Sequence, residues 1–262
     1  MIDLPPCQIV AVFGPVASGK TYLLKQWLKT QSRVVAFDST GEMTREPDFQ
    51  ECFASPRKLF DMIQTSPYYF RVAYTPGTDV RTDFSWCVKA MWQFDAVKLL
   101  AVDECHLVFP NNAIGDDTEM LLRFARHAKL GLICMSQRIA DVHKLLTSSA
   151  RTTVLFRIRD ARDYDAISDR WGRDVAEHVR NLRPLIHDDS TGITKQVPQA
   201  VVITQTEGAR VYDFATESYV SEPQDTCDID EEENHNQSEH QESASGDLSR
   251  KDDDGLPEAS SE

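Results

Sequence analysis

The chain has 262 residues, of which 41% are hydrophobic, and this is enough for one sizeable core. Its net charge of −14 comes from 42 acidic and 28 basic residues that are unevenly distributed. Residues 221–262 hold 15 of the acidic and 2 of the basic residues, which leaves 27 acidic and 26 basic residues for residues 1–220. The excess of acidic residues therefore lies almost entirely in the C-terminal stretch. It does not exclude a nucleic-acid partner for residues 1–220.

The cysteines and the hydropathy pattern exclude other classes of protein. None of the six cysteines forms a CxxC pair, so neither a zinc ribbon nor a disulfide framework is indicated. No signal peptide opens the sequence, and no apolar run reaches the ~18 residues of a membrane helix. We therefore expect an intracellular protein with no membrane span of its own.

Apolar runs alternate with helical patterns over the first 160 residues. The runs lie at 8–13, 33–37, 68–74, 98–103, 131–136 and 152–158. Continuous runs of this kind are typical of strands in a parallel sheet that is covered on both faces. Helical spacing of apolar residues occupies 20–30, 56–64, 82–95 and 117–129. The alternation predicts a doubly wound α/β domain with a central, mostly parallel sheet.

The pattern changes after residue 160, where it becomes helical and rich in arginine. Residues 200–203 and 210–214 then flank Glu207-Gly208-Ala209, which predicts a hairpin. Residues 221–262 are acidic and poor in apolar side chains, which predicts a disordered tail. We expect two parts: a folded domain over 1–220 and the acidic tail over 221–262.

The first apolar run leads into GPVASGKT at residues 14–21, which matches the phosphate-loop pattern GxxxxGK[ST] at every fixed position. In this pattern the glycines let backbone N–H groups wrap the phosphates of a nucleotide such as ATP. Lys20 reaches the β and γ phosphates, and the hydroxyl of Thr21 ligates Mg²⁺. The predicted nucleotide-binding residues are Gly14, Pro15, Val16, Ala17, Ser18, Gly19, Lys20 and Thr21.

Polar residues follow two later strands. Asp103 and Glu104 end the run LLAVDE, which places Asp103 where it supports Mg²⁺ and Glu104 where it polarises an attacking water. This pair indicates hydrolysis. Gln137 follows the next strand, and a polar side chain there contacts the γ-phosphate or its water. Lys20, Glu104 and Gln137 are therefore the expected catalytic residues within one chain.

Together these residues resemble the HerA–FtsK group of P-loop motor ATPases, which have a RecA-like fold. The resemblance covers roughly residues 8–215 and rests on FDSTGEM at 37–43 and on RHAKLGLICMSQR at 126–138. It implies an ATPase that assembles into a ring, usually a hexamer, and pulls double-stranded DNA through the centre. It also implies that a neighbour's arginine completes each site. Arg126 is the first candidate for that role, ahead of Arg123 and Arg151.

The predicted first strand begins near Gln8, which leaves no room for the N-terminal barrel of HerA or the membrane helices of FtsK. A motor domain of this size resembles the genome-packaging ATPases of membrane-containing tailless viruses. That resemblance implies a capsid portal or membrane protein as partner. It also implies a location in the host cytoplasm or at the virion.

Other interpretations share the same motifs. Filamentous-phage assembly ATPases similar to zonula occludens toxin have this kind of motor but usually continue into a membrane span. Thymidine-kinase-like enzymes share the loop and acidic pair but usually carry a zinc-binding cysteine cluster. The sequence Asp103-Glu104-Cys105-His106 also matches the DExH box of helicases. Those helicases need a second RecA-like domain, so we interpret the match of His106 to this motif as incidental. A nucleotide-binding scaffold without turnover also stays open.

Arginines recur between residues 151 and 183, with six acidic residues interleaved. They indicate either a DNA-facing surface or an ordinary salt-bridged helical face. The arginines are Arg151, Arg157, Arg159, Arg162, Arg170, Arg173, Arg180 and Arg183.

Overall fold

The structure is a computed structural model, and it describes residues 2, 7–188 and 193–220. The predicted acidic tail at 221–262 lies outside the described residues, so its disorder and the boundary at residue 220 stay predictions. Among the described residues, no helix is both long enough and apolar enough to cross a membrane.

Twelve strands and seven helices form within these residues. The strands are β1 (Ile9–Phe13), β2 (Arg33–Phe37), β3 (Gln50–Phe53), β4 (Phe70–Thr75), β5 (Lys98–Val102), β6 (Leu130–Ser136), β7 (Thr152–Phe156), β8 (Ile186–Asp188), β9 (Ile193–Gln196), β10 (Gln199–Thr204), β11 (Gly208–Asp213) and β12 (Ser218–Tyr219). The helices are α1 (Lys20–Leu28), α2 (Pro56–Thr65), α3 (Val80–Trp92), α4 (Asp116–Phe124), α5 (Lys144–Ser149), α6 (Ala161–Trp171) and α7 (Arg173–Asn181).

Ten of the strands form one sheet, in the order β12-β11-β10-β7-β1-β6-β5-β2-β4-β3. From β7 to β3 every neighbouring pair is parallel, and β10, β11 and β12 extend the β7 edge as antiparallel strands. The predicted α/β class with a mostly parallel sheet is confirmed. β8 and β9 pair only with each other among the strands described.

The central strands are buried on both faces because their side chains alternate between two cores. In β1, Ala11 and Phe13 pack into one core while Val10 and Val12 pack into the other. The first core receives apolar side chains from α2 to α7, whereas the second receives α1 through Leu23, Leu24, Trp27 and Leu28. This double coverage explains why the strands read as continuous apolar runs.

All six predicted strands and the four helices before residue 130 are present, with ends shifted by a few residues. The helical region after residue 160 and the hairpin of β10 and β11 are also confirmed. The elements that periodicity missed are short. In the edge strand β3 only Cys52 is buried, so the strand shows no apolar run. Helix α5 has six residues, which is too short for a clear helical periodicity.

The loop after β2 is organised by one buried carboxylate. Asp38 is fully buried, and its Oδ1 accepts the backbone N–H of Glu42 at 3.0 Å. Its Oδ2 accepts the N–H groups of Met43 and Thr44 at 2.9 and 2.8 Å, together with the Thr44 hydroxyl. The Asp38 match in FDSTGEM therefore marks a structural residue that fixes the turn carrying Thr40.

Replacing Asp38 by alanine should lower the free energy of unfolding by about 2–4 kcal/mol, since three backbone N–H groups lose their acceptor. Urea denaturation of Asp38→Ala measures this, with Asp48→Ala, an exposed aspartate of the same segment, as the matched control. Equal stability of the two variants would contradict the structural role of Asp38.

Candidate nucleotide site

The phosphate loop connects β1 directly to α1, as its motif requires. Its backbone turns through left-handed conformations at Ala17 (φ +58°) and Gly19 (φ +105°), and the N–H of Ser18 donates to the Pro15 carbonyl at 3.3 Å. The first turn of α1 follows immediately, so its free N–H groups and positive dipole end face the loop. This arrangement suits an anion such as a triphosphate.

Gly14 is required by close packing. A Cβ at this position would lie 2.7 Å from both the Phe156 Cβ and the Ser18 Oγ, and real Cβ contacts of that length do not occur. The N–H of Gly14 also donates to the Ser136 carbonyl at 3.3 Å, which ties the loop to β6. The Ser18 hydroxyl is buried and has no hydrogen-bond partner within the part of the chain that the structure describes. The loop therefore holds its backbone tightly and keeps a buried polar group available to a ligand.

Lys20 lies over this loop. Its Nζ donates to the carbonyls of Gly14 at 2.6 Å and Pro15 at 2.8 Å, and its side chain is buried. Burial lowers the pKa of Lys20, and the negative charges of Glu104 and Asp103 act in the opposite direction. The ammonium group is thus near both the loop and the acidic pair, as the sequence predicts.

Asp103 directly follows β5, where its N–H donates to the Phe37 carbonyl of β2 at 3.1 Å. Its Oδ1 accepts the N–H of Glu104, and its Oδ2 accepts the Thr40 hydroxyl. Burial raises the pKa of Asp103, and the Thr40 hydrogen bond partly offsets this effect. Thr40 is a site residue that motif reading missed, since no pattern marks it apart from its place in FDSTGEM.

Glu104 is held in a strained position. Its backbone is left-handed, with φ +47° and ψ +53°, which is uncommon for a residue other than glycine. Its Oε1 accepts a hydrogen bond from Gln137 Nε2 at 2.6 Å, and its Oε2 lies 3.2 Å from Nδ1 of His106. That histidine nitrogen is also 3.4 Å from the Ser136 hydroxyl. His106 therefore packs against the site through Glu104 and Ser136.

The sheet order explains why these residues meet. β6 lies between β1 and β5, with Phe13 opposite Ser136 and Val102 opposite Cys134. Because the three strands are parallel, their carboxyl ends deliver the phosphate loop, Gln137 and the acidic pair to one edge of the sheet. The proximity of these three predicted elements is thus a consequence of topology.

The donor set is suitable for Mg²⁺ held jointly with phosphates. Thr21 supplies a hydroxyl and Asp103 a carboxylate, both oxygen ligands of the kind that Mg²⁺ prefers. Within the described ranges, no group of three or more histidine, cysteine, aspartate or glutamate side chains could hold a metal by itself. An ion that keeps waters and binds substrate phosphates does not need such a cage.

Arg126 lies at the other end of the strands. It precedes β6 and lines a groove with Arg123, Arg151 and Gln8, residues that adjoin the amino ends of β6, β7 and β1. Arg126 is exposed, whereas Arg123 pairs with Glu119 at 2.7 Å. Arg126 therefore lies at the opposite end of these strands from the phosphate loop of its own chain.

Several arginines of the 151–183 stretch have structural partners. Arg170 is partly buried and donates to the carbonyls of Ile139 and Val142, both at 3.0 Å. Arg183 bonds to Asp213 at 2.5 Å, and Arg180 lies 4.7 Å from the ring centroid of Tyr164. These three are explained by packing within the chain.

Gly14→Ala should destabilise the protein by roughly 1–3 kcal/mol, because the added methyl group overpacks against Phe156, and it should also lose nucleotide affinity. Thermal unfolding and ATP titration measure the two effects. Gly115→Ala is the control, since an added Cβ there meets nothing within 4 Å. A Gly14→Ala protein that melts at the same temperature as the wild type would refute this packing constraint.

Solved structures share this fold. The genome packaging NTPase B204 from Sulfolobus turreted icosahedral virus 2 in complex with AMPPCP has a TM-score of 0.61 and 20% identity, covering 82% of this chain and 97% of that one. Its complex with ATP-gammaS has a TM-score of 0.59 and 22% identity, covering 73% and 97%. B204, the DNA-packaging ATPase from Sulfolobus turreted icosahedral virus, has a TM-score of 0.58 and 19% identity, covering 83% and 97%.

These similarities show that the chain shares the fold of these NTPases, as expected. No curated protein matches the sequence. The model of one family does match: zonular occludens toxin (Zot), over residues 58–202. The matched segment includes the acidic pair and Gln137, and it begins after the phosphate loop. Since the match spans more than half of the 262 residues, the chain belongs to the Zot family.

Proposed function

We propose that the protein is an ATP-hydrolysing double-stranded DNA translocase, acting as a viral genome-packaging motor in the host cytoplasm or at the virion. The observation that carries hydrolysis is the position of Glu104, fixed by Gln137 on the neighbouring strand and close to Lys20. A carboxylate held beside a phosphate loop can activate a water molecule, and hydrolysis by water needs no second substrate.

Each residue has a distinct task in this reaction. Lys20 leaves the loop carbonyls to neutralise the β and γ phosphates, and the N–H groups of the loop hold their oxygens. Glu104 accepts the proton of the attacking water, and Gln137 keeps that carboxylate oriented while it contacts the γ-phosphate or the water. Nδ1 of His106 lies 3.2 Å from the other oxygen of Glu104. Release of the γ-phosphate would then free the Gln137 and Glu104 pair.

Mg²⁺, held by Thr21 and Asp103 together with the phosphates, would neutralise charge that develops on the transferred group. The half-buried Asp103 accepts the Thr40 hydroxyl and the Glu104 N–H, and these hydrogen bonds orient its carboxylate.

We propose a ring, with a hexamer as the expected form, because Arg126 lies at the amino ends of the strands and the loop at their carboxyl ends. Head-to-tail contact between copies would bring these two ends together. Arg126 of one copy would then stabilise charge on the phosphates of the next. Its exposure and its place outside the Arg123–Glu119 pair support this role.

Two considerations support DNA as the moved polymer. The structures with this fold are described as genome packaging NTPases and a DNA-packaging ATPase. Residues 1–220 are also nearly neutral by count, so the net charge of the whole chain does not argue against DNA as a partner of this part. A capsid portal or a membrane protein would anchor the ring.

A second candidate is a filamentous-phage assembly ATPase of the Zot type. Family membership favours it. Such a motor would keep the same catalytic residues, so the effect of DNA on turnover separates the two functions.

The test is steady-state ATP hydrolysis with and without long double-stranded DNA. Wild-type turnover should rise strongly with DNA, and Glu104→Gln should lower kcat at least ~100-fold while ATP still binds. Glu51→Gln, at an exposed position, should behave as wild type. Turnover that depends on Glu104 but ignores DNA would favour the assembly ATPase. Phosphate transfer to a deoxynucleoside would make the protein a kinase and overturn the motor.

Mixing variants tests the role of Arg126. The Arg126→Ala protein retains an intact phosphate loop and the acidic pair Asp103 and Glu104, whereas the Glu104→Gln protein retains Arg126. Each alone should be nearly inactive, but a 1:1 mixture should recover activity at about a quarter of its sites if the arginine acts between copies. Arg57→Ala, an exposed arginine on α2, mixed with Glu104→Gln is the control and should show only dilution of active subunits. No recovery in the first mixture would contradict a shared site.

A further inference from the structure

The chain that follows β6 is bound to α6 by ion pairs. We call residues 137–143 the Gln137 segment, after the residue that opens it. Nη2 of Arg138 lies 2.5 Å from Oδ2 of Asp160, and Nε of Arg138 lies 3.6 Å from Oδ2 of Asp163. Asp160 is the N-cap of α6 and Asp163 lies in its first turn. The residue next to Gln137 is therefore attached to the start of α6.

Side chains of α6 also bond to the backbone of this segment. Oδ1 of Asp163 accepts the N–H of Ala140 at 3.0 Å. Arg170 donates to the carbonyls of Ile139 and Val142, both at 3.0 Å. Three backbone groups of a segment without helix or strand structure are thus satisfied by one neighbouring helix. The position of the Gln137 segment is therefore set by α6.

Arg138 is the cation that three carboxylates share. Its Nε lies 3.9 Å from Oδ2 of Asp141, in addition to its contacts with Asp160 and Asp163. Asp163 is only 2% exposed, and burial raises its pKa, whereas the N–H of Ala140 and the charge of Arg138 lower it. Removing Arg138 would leave three neighbouring carboxylates to repel one another, one of them buried.

The Gln137 segment also pairs with the chain that follows the acidic pair. The N–H of Asn111 donates to the Asp141 carbonyl at 3.0 Å, and the N–H of His143 donates to the Phe109 carbonyl at 2.9 Å. The two segments carry the two ends of the hydrogen bond between Gln137 and the acidic pair. Holding one segment on α6 therefore also restrains the other.

We propose that Arg138 is a positioning residue for ATP hydrolysis, which fixes the Gln137 segment on α6 so that the Gln137 amide lies against Glu104. Because Arg138 and Gln137 are adjacent in the chain, a displacement of one backbone displaces the other. Arg138 acts on the reaction through Gln137 and needs no contact with the nucleotide. The inference rests on the proposed ATPase function and adds the residue that orients Gln137.

The first test measures ATP hydrolysis and equilibrium ATP binding of the full chain with Mg²⁺, with and without DNA. Arg138→Ala should lower kcat by about 10- to 100-fold, because a displacement of ~1 Å in a catalytic group has an effect of this size. The Kd for ATP should stay within about 2-fold of the wild type, since the phosphate loop is intact. Arg162→Ala is the matched control and should keep the wild-type kcat, because this exposed arginine of α6 only approaches Asp141 at 3.9 Å.

The second test combines Arg138→Ala with Gln137→Ala. If Arg138 acts through Gln137, the double variant should have the kcat of Gln137→Ala alone, since an absent amide cannot be misplaced. A general structural role would instead lower kcat again, by the same factor as Arg138→Ala lowers it in the wild type. The comparison therefore separates positioning from loss of stability.

Thermal melting shows whether Arg138→Ala folds. If it does not, Asp160→Asn is the substitute, because asparagine still caps α6 while the charge facing Arg138 is lost. Its kcat should fall by about 2- to 5-fold with unchanged ATP affinity, since this ion pair is partly exposed.

A wild-type kcat in folded Arg138→Ala, or in Asp160→Asn, would overturn the role of Arg138, and so would multiplicative losses in the double variant. If Gln137→Ala is slow while Arg138→Ala is not, only the positioning role is rejected. Wild-type turnover of Gln137→Ala would reject the proposed hydrolysis mechanism together with it.

Discussion

The parallel pairing of β6 between β1 and β5 is the constraint on which the site depends. It sets the phosphate loop, Gln137 and the acidic pair side by side at the carboxyl edge of the sheet. The pairing is in turn fixed by burial on both faces, since a register shift of one residue would exchange the two cores along β1. The chemistry of Glu104 is therefore tied to the packing of the whole sheet.

Close packing around the loop serves the same purpose. Gly14 leaves no space for a Cβ against Phe156, and the Phe156 ring stacks on Phe214. A single residue at the end of β7 thus packs against the phosphate loop and against the residue that follows β11. Left-handed backbone occurs on both sides of the site, at Ala17 and Gly19 in the loop and at Glu104 after β5.

The two ends of the strands have different roles in the proposed motor. The carboxyl ends carry the loop and the acidic pair, while the amino ends carry Arg126 in an exposed basic groove. This polarity suits head-to-tail assembly, in which each site is completed by its neighbour. The fold of the packaging NTPases and membership of the Zot family are both compatible with such a ring, and DNA-dependent turnover distinguishes their functions.

The sequence by itself determined the class of fold and most of the site. Continuous apolar runs predict buried parallel strands because both faces of each strand are covered, and GPVASGKT and the acidic pair are contiguous motifs whose chemistry is local. Only the tertiary structure decided what depends on distant partners. The contacts of Thr40 with Asp103, of His106 with Ser136, and of Arg170 with Ile139 and Val142 arise where segments far apart in sequence meet. No periodicity or motif encodes those contacts, because each is set by strand order and by packing across the sheet.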